Sequence, residues 1–247
     1  CEPTGNFAHN PEPLPEHLKE LSTKVVEEGA DLGISVDPDV DRLALICEDG
    51  TPFGEEYTLV AAADYILEKR EGATVSNLSS SRALKDITEA AGCVYSAAAV
   101  GEINVVNEMK RVNAVIGGEG NGGVIVPDFH YGRDALIGIA LILSHMANKK
   151  IIASSLRDSY PKYYISKNKI ELSDKIDVGY LFEEIKKAFS NNRITDIDGV
   201  KIDFDKEKKW VHLRKSNTEP VIRIIAESPD EKTNQSLIHT TKNILAG

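Results

Sequence analysis

Strand-length and helix-length segments alternate between Thr74 and Ala147, and beyond Lys149-Lys150 the pattern turns strand-rich. Alternation of that kind lays helices onto a largely parallel sheet. The two features predict an α/β fold: α/β layers on a mixed or parallel sheet, followed by a C-terminal α+β domain. A domain boundary is expected in the 150s. The composition, 41% hydrophobic and 28% charged over 247 residues, suits such a globular chain,.

Each element has its own justification. Pro11, Pro13 and Pro15 mark an irregular lead-in. Leu18, Leu21, Val25 and Val26 then fall at helical spacing across Glu16–Glu28, and Gly29 ends that helix,. Asp31–Val36 and Leu43–Cys47 read as strands, the second turned by Glu48-Asp49-Gly50,. Leu59, Ala62, Ala63, Ile66 and Leu67 make Thr58–Lys69 a helix,. Strands at Thr74–Leu78, Cys93–Ala98 and Ala114–Gly117 alternate with helices at Arg82–Ala91, Ile103–Val112 and Asp134–Ala147. Beyond them lie strands at Tyr160–Ile170, Gly199–Phe204, Trp210–Arg214 and Val221–Glu227, a helix at Tyr180–Phe189 and a helical tail from Asp230.

Bulk properties narrow the function. A net charge of -10 argues against a nucleic-acid binder, which needs a basic surface, but leaves room for a phosphorylated small molecule held by local arginines,. Cys1, Cys47 and Cys93 form no CxxC pair and suggest neither a disulfide frame nor a zinc site,. No apolar run nears the ~18 residues of a membrane span, and no basic-then-apolar leader opens the sequence,. A cytoplasmic protein is expected. The chain starts CEPTGNF without Met, inside what reads as a loop, and is expected to be part of a longer protein.

Three stretches carry chemistry. In DPDVDR, Asp37, Asp39 and Asp41 alternate, so an extended segment points them to one side,. Their hard oxygens suit Mg²⁺ or Ca²⁺ rather than zinc. Arg42 behind them is placed to meet a phosphoryl oxygen bidentately. The other reading of the same motif is an acidic turn whose aspartates cap backbone amides. In VIGGEGNGGVIV, five glycines surround Glu119 and Asn121, where a carboxylate and an amide suit neighbouring sugar hydroxyls; a solvent-facing glycine-rich turn is the alternative,. In LRKSNTEPVIR, Arg214, Ser216, Asn217, Thr218 and Arg223 bracket a turn closed by Glu219-Pro220. Hydroxyls, an amide, backbone N–H groups and two arginines suit a phosphate monoester. A plain hairpin turn explains the Ser, Asn and Pro, but less readily an Arg on each flank of an acidic chain.

In this order and spacing, DPDVDR, GGEGNGG and RKSNTEPVIR resemble the α-D-phosphohexomutase family over nearly the whole chain. The family includes phosphoglucomutase, phosphomannomutase and phosphoglucosamine mutase. GGEGNGG followed by GRDAL looks most like its archaeal phosphoglucosamine mutase branch. The resemblance implies the last part of domain 2 at 1–50 with the metal loop, domain 3 at 51–152 with the sugar loop, and domain 4 at 153–247 with the phosphate loop; domain 1 is missing. It also implies Mg²⁺ at Asp37, Asp39 and Asp41, and sugar hydroxyls at Glu119 and Asn121. The phosphate not being transferred would sit at Arg214, Ser216, Asn217, Thr218 and Arg223. The implied substrate is a hexose phosphate, glucosamine 6-phosphate or a relative, and the implied reaction passes a phosphoryl group through an enzyme phosphoserine.

Four departures stand out. Pro38 and Val40 replace the glycines of the common DGDGDR loop, which should stiffen it. Asn121 and Gly123 stand where many relatives have Ser and His. Glu102 falls where some place a His. No TASHNP-like serine loop occurs anywhere in the sequence, and Ser79–Ser81 lies in the wrong context to replace it. The chain alone is therefore expected to be inactive.

Overall fold

The first helix, α1 (Lys19–Glu28), stops at Gly29, whose φ of 61° lets its N–H turn back onto the carbonyls of Val25 and Val26,. The chain then runs through β1 (Leu32–Val36) and β2 (Leu43–Cys47), which pair antiparallel with Ile34 opposite Leu45. The computed structural model describes residues 4–7, 10–171, 177–216 and 219–246. They form two units, Cys1–Pro161 and Lys162–Gly247.

The first unit continues with α2 (Glu55–Leu67), β3 (Ala73–Asn77), α3 (Ala83–Ala90), β4 (Tyr95–Ala98), α4 (Glu102–Val112), β5 (Ala114–Glu119), β6 (Gly123–Ile125), α5 (Ala135–Lys149) and α6 (Ala153–Asp158). Its main sheet has the order β4-β3-β5-β6; β4, β3 and β5 run parallel and β6 returns antiparallel to β5. Val75, Val105, Met109 and Ile125 form part of a buried cluster where α4 covers this sheet. Helix α2 begins three residues before the expected Thr58, because Glu55 and Glu56 suit the positive end of a helix,. Helix α6 has only six residues in a stretch read as a boundary. It is anchored in this unit: Arg157 Nε donates to the Phe53 carbonyl at 2.9 Å, and the Ser154 amide donates to Glu48 at 3.1 Å. The unit therefore runs past residue 152 to Pro161, whose carbonyl accepts from the Tyr57 hydroxyl at 2.8 Å.

The second unit holds β7 (Tyr164–Glu171), α7 (Val178–Ala188), β8 (Arg193–Thr195), β9 (Val200–Phe204), β10 (Lys209–Lys215), β11 (Val221–Ser228) and α8 (Glu231–Ala246). Its five strands make an antiparallel sheet in the order β7-β11-β10-β9-β8. Ile202, Val211, Leu213, Ile222, Ile224 and Ala226 form its core with Ile185, Leu237 and Ile238 of the helices. The predicted α/β fold with an α+β C-terminal part is the fold observed. Two short strands, β6 and β8, escape the sequence, since three residues are too few for periodicity to register.

Candidate functional site

The acidic loop lies between β1 and β2, which carry its two ends to the same edge of their hairpin. Asp37, Asp39 and Asp41 bring carboxylate oxygens within 4.8 Å of one another. Asp37 is buried, and its Oδ1 accepts the backbone N–H groups of Asp41 and Arg42, each at 3.0 Å. One aspartate thus caps the turn while the others remain as donors. Burial alone would raise the Asp37 pKa, but the Arg42 and Asp41 amides together with hydrogen bonds to the Asp41 and Asp39 carboxyls outweigh it and hold the carboxyl below the ordinary range,. Asp41 behaves oppositely: burial, its bond to Asp37 and the neighbouring negative charges push it up to about 6, against the pull of Arg133. Val40 adopts a φ of 59°, the left-handed region that favours Gly,. Its carbonyl accepts from the Ala135 amide at 3.1 Å, so the start of α5 pins the loop.

The glycine-rich loop joins β5 to β6 next to this cluster. At Gly120 a Cβ would collide with the Glu56 carboxylate, and Gly122, at φ 85°, lies against the Leu43 carbonyl,. Through the second contact the glycine-rich loop packs on the base of β2. Glu119 is buried and well held: Asn77 Nδ2 donates to its Oε1 at 2.8 Å, the Gly101 amide to the same oxygen at 3.2 Å, and Arg133 Nη1 to its Oε2 at 3.0 Å. Asn121 turns its Oδ1 onto the Gly123 amide at 3.1 Å and so shapes its own loop.

Arg133 joins the two loops. Its guanidinium bonds Asp41 on the acidic loop and Glu119 on the glycine-rich loop, and its Nε lies 3.2 Å from Glu102. Its backbone N–H also donates to Glu102 Oε1, at 3.2 Å. The sequence reading did not single out this arginine. The available signal was GRDAL: a cation immediately before a helix start meets the positive end of the helix dipole, and needs acidic partners. Asp134, next in sequence, is the N-cap, accepting from the Ile137 amide at 3.0 Å,. Arg42 places Nη1 on Glu12 at 3.0 Å, with Nε 3.6 Å from Asp37. Ser80 and Ser81 are buried: Ser80 Oγ accepts the Gly120 amide at 3.0 Å, and the Ser81 amide donates to Glu56 at 2.8 Å.

In the second unit, Arg214 on β10 stands directly opposite Arg223 on β11. Asp198 lies 3.3 Å from Arg214 Nε. Ser216 is buried, and its N–H donates to the Val221 carbonyl at 2.9 Å, closing the turn. Asn217 and Thr218 lie outside the described residues. Beside this turn His212 is fully buried, with Nε2–H donating to the Asp198 carbonyl at 2.6 Å; burial lowers its pKa to about 4.

Solved structures identify the fold. A phosphoglucomutase/phosphomannomutase family protein of Burkholderia thailandensis superposes with a TM-score of 0.82 at 23% identity, covering 96% of this chain and 51% of that one. The N-acetylphosphoglucosamine mutase of Aspergillus fumigatus, solved in complex with GlcNAc-6P and magnesium, matches with a TM-score of 0.64 at 13% identity, covering 86% and 51%. Sequence comparison then identifies the family. Models of phosphoglucomutase/phosphomannomutase match in order: alpha/beta/alpha domain II at residues 1–50, alpha/beta/alpha domain III at 54–163 and the C-terminal domain at 169–243. The chain is 38% identical over 236 residues to a phosphoglucomutase/phosphomannomutase of Thermococcus kodakarensis, covering 94% of this chain and 51% of the relative. It is 33% identical over 248 residues to a phosphoglucosamine/phosphogalactosamine mutase of Sulfurisphaera tokodaii, covering 97% and 53%. The chain belongs to the α-D-phosphohexomutase family and corresponds to its C-terminal part. It spans about half the length of the curated relatives it matches.

The donor set fits a magnesium ion: three clustered carboxylates, all hard oxygen donors,. Among the described residues no helix is long and apolar enough to cross a membrane.

Proposed function

We propose that this chain supplies the metal-, sugar- and phosphate-binding parts of a phosphohexomutase that interconverts the 6-phospho and 1-phospho forms of a hexose, with glucosamine phosphate as the preferred substrate. The observation that carries this reading is Arg133, which ties Asp41 of the acidic loop to Glu119 of the sugar-type loop in one cluster. A metal loop and a sugar loop held this close suit a reacting phosphate on a bound sugar. Asp37, Asp39 and Asp41 would hold Mg²⁺, which when bound neutralises charge on the transferring phosphoryl group. Arg42 stands behind the loop, where its guanidinium can meet a phosphoryl oxygen once substrate draws it from Glu12. Glu119 and Asn121 would recognise sugar hydroxyls, and Arg214, Ser216, Asn217, Thr218 and Arg223 would hold the second phosphate. Catalysis in this reading is positioning and charge neutralisation, the terms on which phosphoryl transfer depends. The phosphoserine that gives and takes back the phosphoryl group would lie outside this sequence, leaving the chain inactive by itself.

Phosphomannose or phosphoglucose is the second reading, favoured by the name of the Thermococcus relative. The test is kcat/KM of the full-length enzyme on the 6-phosphates of glucosamine, mannose and glucose. The first is expected to exceed the others by about tenfold or more, about 1.4 kcal/mol of differential transition-state binding. Equal values, or a preference for mannose or glucose, would overturn the substrate assignment.

A further inference from the structure

The sheet of the second unit carries a row of basic residues at one register. Arg214 of β10 is opposite Arg223 of β11, and Arg223 is opposite Lys169 of β7. Directly opposed residues share a sheet face with Cβ atoms about 4.5–5.5 Å apart, and like charges so placed destabilise the sheet. Arg214 has Asp198 beside it. Among the described residues Arg223 and Lys169 form no ion pair, and both are exposed. The chain as a whole carries 39 acidic residues against 29 basic ones, so an unneutralised basic pair is not a product of composition. The two border a groove of about 400 Å³ whose wall also includes Lys167, Glu219 and Val221. Among the described residues, Arg223 and Lys169 against the one carboxylate of Glu219 already leave that wall net positive, the field an anion requires,. Val221 is the residue whose carbonyl closes the turn onto Ser216, so the groove adjoins the phosphate-type loop.

We propose that Lys169 is a further phosphate-binding residue of this site, acting with Arg223 to select a doubly charged phosphate monoester over a singly charged anion. The proposal rests on the assignment of the Arg214–Arg223 turn to phosphate. Arg223 offers a planar fork and Lys169 a point charge, so the two contacts differ in kind. A dianion between them removes the repulsion that the empty pair bears, whereas a monoanion removes less of it.

Isothermal titration of this chain with glucosamine 6-phosphate and with glucosamine 6-sulfate tests the pairing. Lys169→Met should weaken the phosphate ester by about five- to tenfold and the sulfate ester by about twofold at most. Lys169→Arg should restore phosphate binding. Because Lys169 is exposed, Lys169→Met should melt no lower than the parent without ligand, a check that the fold is intact. Arg223→Met should weaken both esters. If Arg223→Met weakens binding and Lys169→Met does not, or if both esters lose equally in Lys169→Met, the role given to Lys169 is overturned while the phosphate turn stands. If neither variant changes binding, or the parent chain does not bind, the phosphate turn itself is refuted.

Discussion

Replacing Arg133 by Met should unfold the first unit at markedly lower temperature. The guanidinium is bonded to Asp41 and Glu119 and lies 3.2 Å from Glu102, and its side chain is 13% exposed. Removing one partner of a buried ion pair costs about 3–5 kcal/mol, mostly through the charge left behind. Two features place this site at the lower end. Asn77 Nδ2 and the Gly101 amide still hold Glu119 Oε1, and Asp41, already raised to about 6, can take up a proton once Arg133 no longer opposes it. The expected loss is therefore about 3 kcal/mol, or about 6–12 °C in Tm for a unit of this size. Differential scanning calorimetry at pH 7 without divalent metal should resolve it. Arg133→Lys should recover only part, because a point charge cannot span carboxylates from three segments. A shift under about 2 °C in Arg133→Met would refute Arg133 as the tie between the two loops.

Three further outcomes follow from the same structure. His212 has its folded pKa lowered from 6.5 to about 4, so the unfolded chain takes the proton first as pH falls. The contribution of the neutral ring is complete above pH 6.5 and is lost on descending toward 4, amounting to about 3 kcal/mol. Urea unfolding followed by Trp210 fluorescence should show this slope, and His212→Gln should flatten it; an unchanged slope in the variant would exclude His212 as its source. Val40 holds a left-handed backbone at a cost of about 1–2 kcal/mol, which Gly avoids while losing about 0.5–1 kcal/mol to chain entropy,. Val40→Gly should therefore leave Tm level or slightly higher, and a drop equivalent to more than about 1 kcal/mol would contradict the strain. Asp39 is exposed, and Asp39→Ala should change stability by no more than about 0.5 kcal/mol while weakening Mn²⁺ or Mg²⁺ binding about tenfold or more,; undiminished metal binding would remove Asp39 from the ligand set.

Most of the fold was legible because burial and periodicity agree. Leu43–Cys47 reads as a strand to the residue, and all five of its residues are buried. The helices from α1 to α5 lie within a few residues of their expected bounds, and of these only α5 begins at a side-chain cap, Asp134. The residues of the acidic cluster were legible but not the cause of their convergence: the segment is not extended but turns, with the Val40 N–H donating to the Asp37 carbonyl at 3.1 Å and Asp37 capping the Asp41 and Arg42 amides. What could not be read was the connection between loops. Arg133 draws on partners at 41, 102 and 119, and no local pattern links those positions. Asn77 reads as a strand residue, yet its amide orients Glu119 from the end of β3. Lys169 likewise gains meaning only from the register that sets it beside Arg223.

The central claim is mutase chemistry at a metal loop and a sugar loop joined by Arg133. It is tested most directly by ³¹P NMR of glucosamine 6-phosphate incubated with the full-length enzyme and Mg²⁺. The account predicts a growing 1-phosphate signal that approaches equilibrium with the 6-phosphate, no free phosphate, and loss of the exchange in Asp39→Ala. Steady release of inorganic phosphate without the 1-phosphate would contradict it and point to a phosphatase that attacks through an aspartate of the same loop.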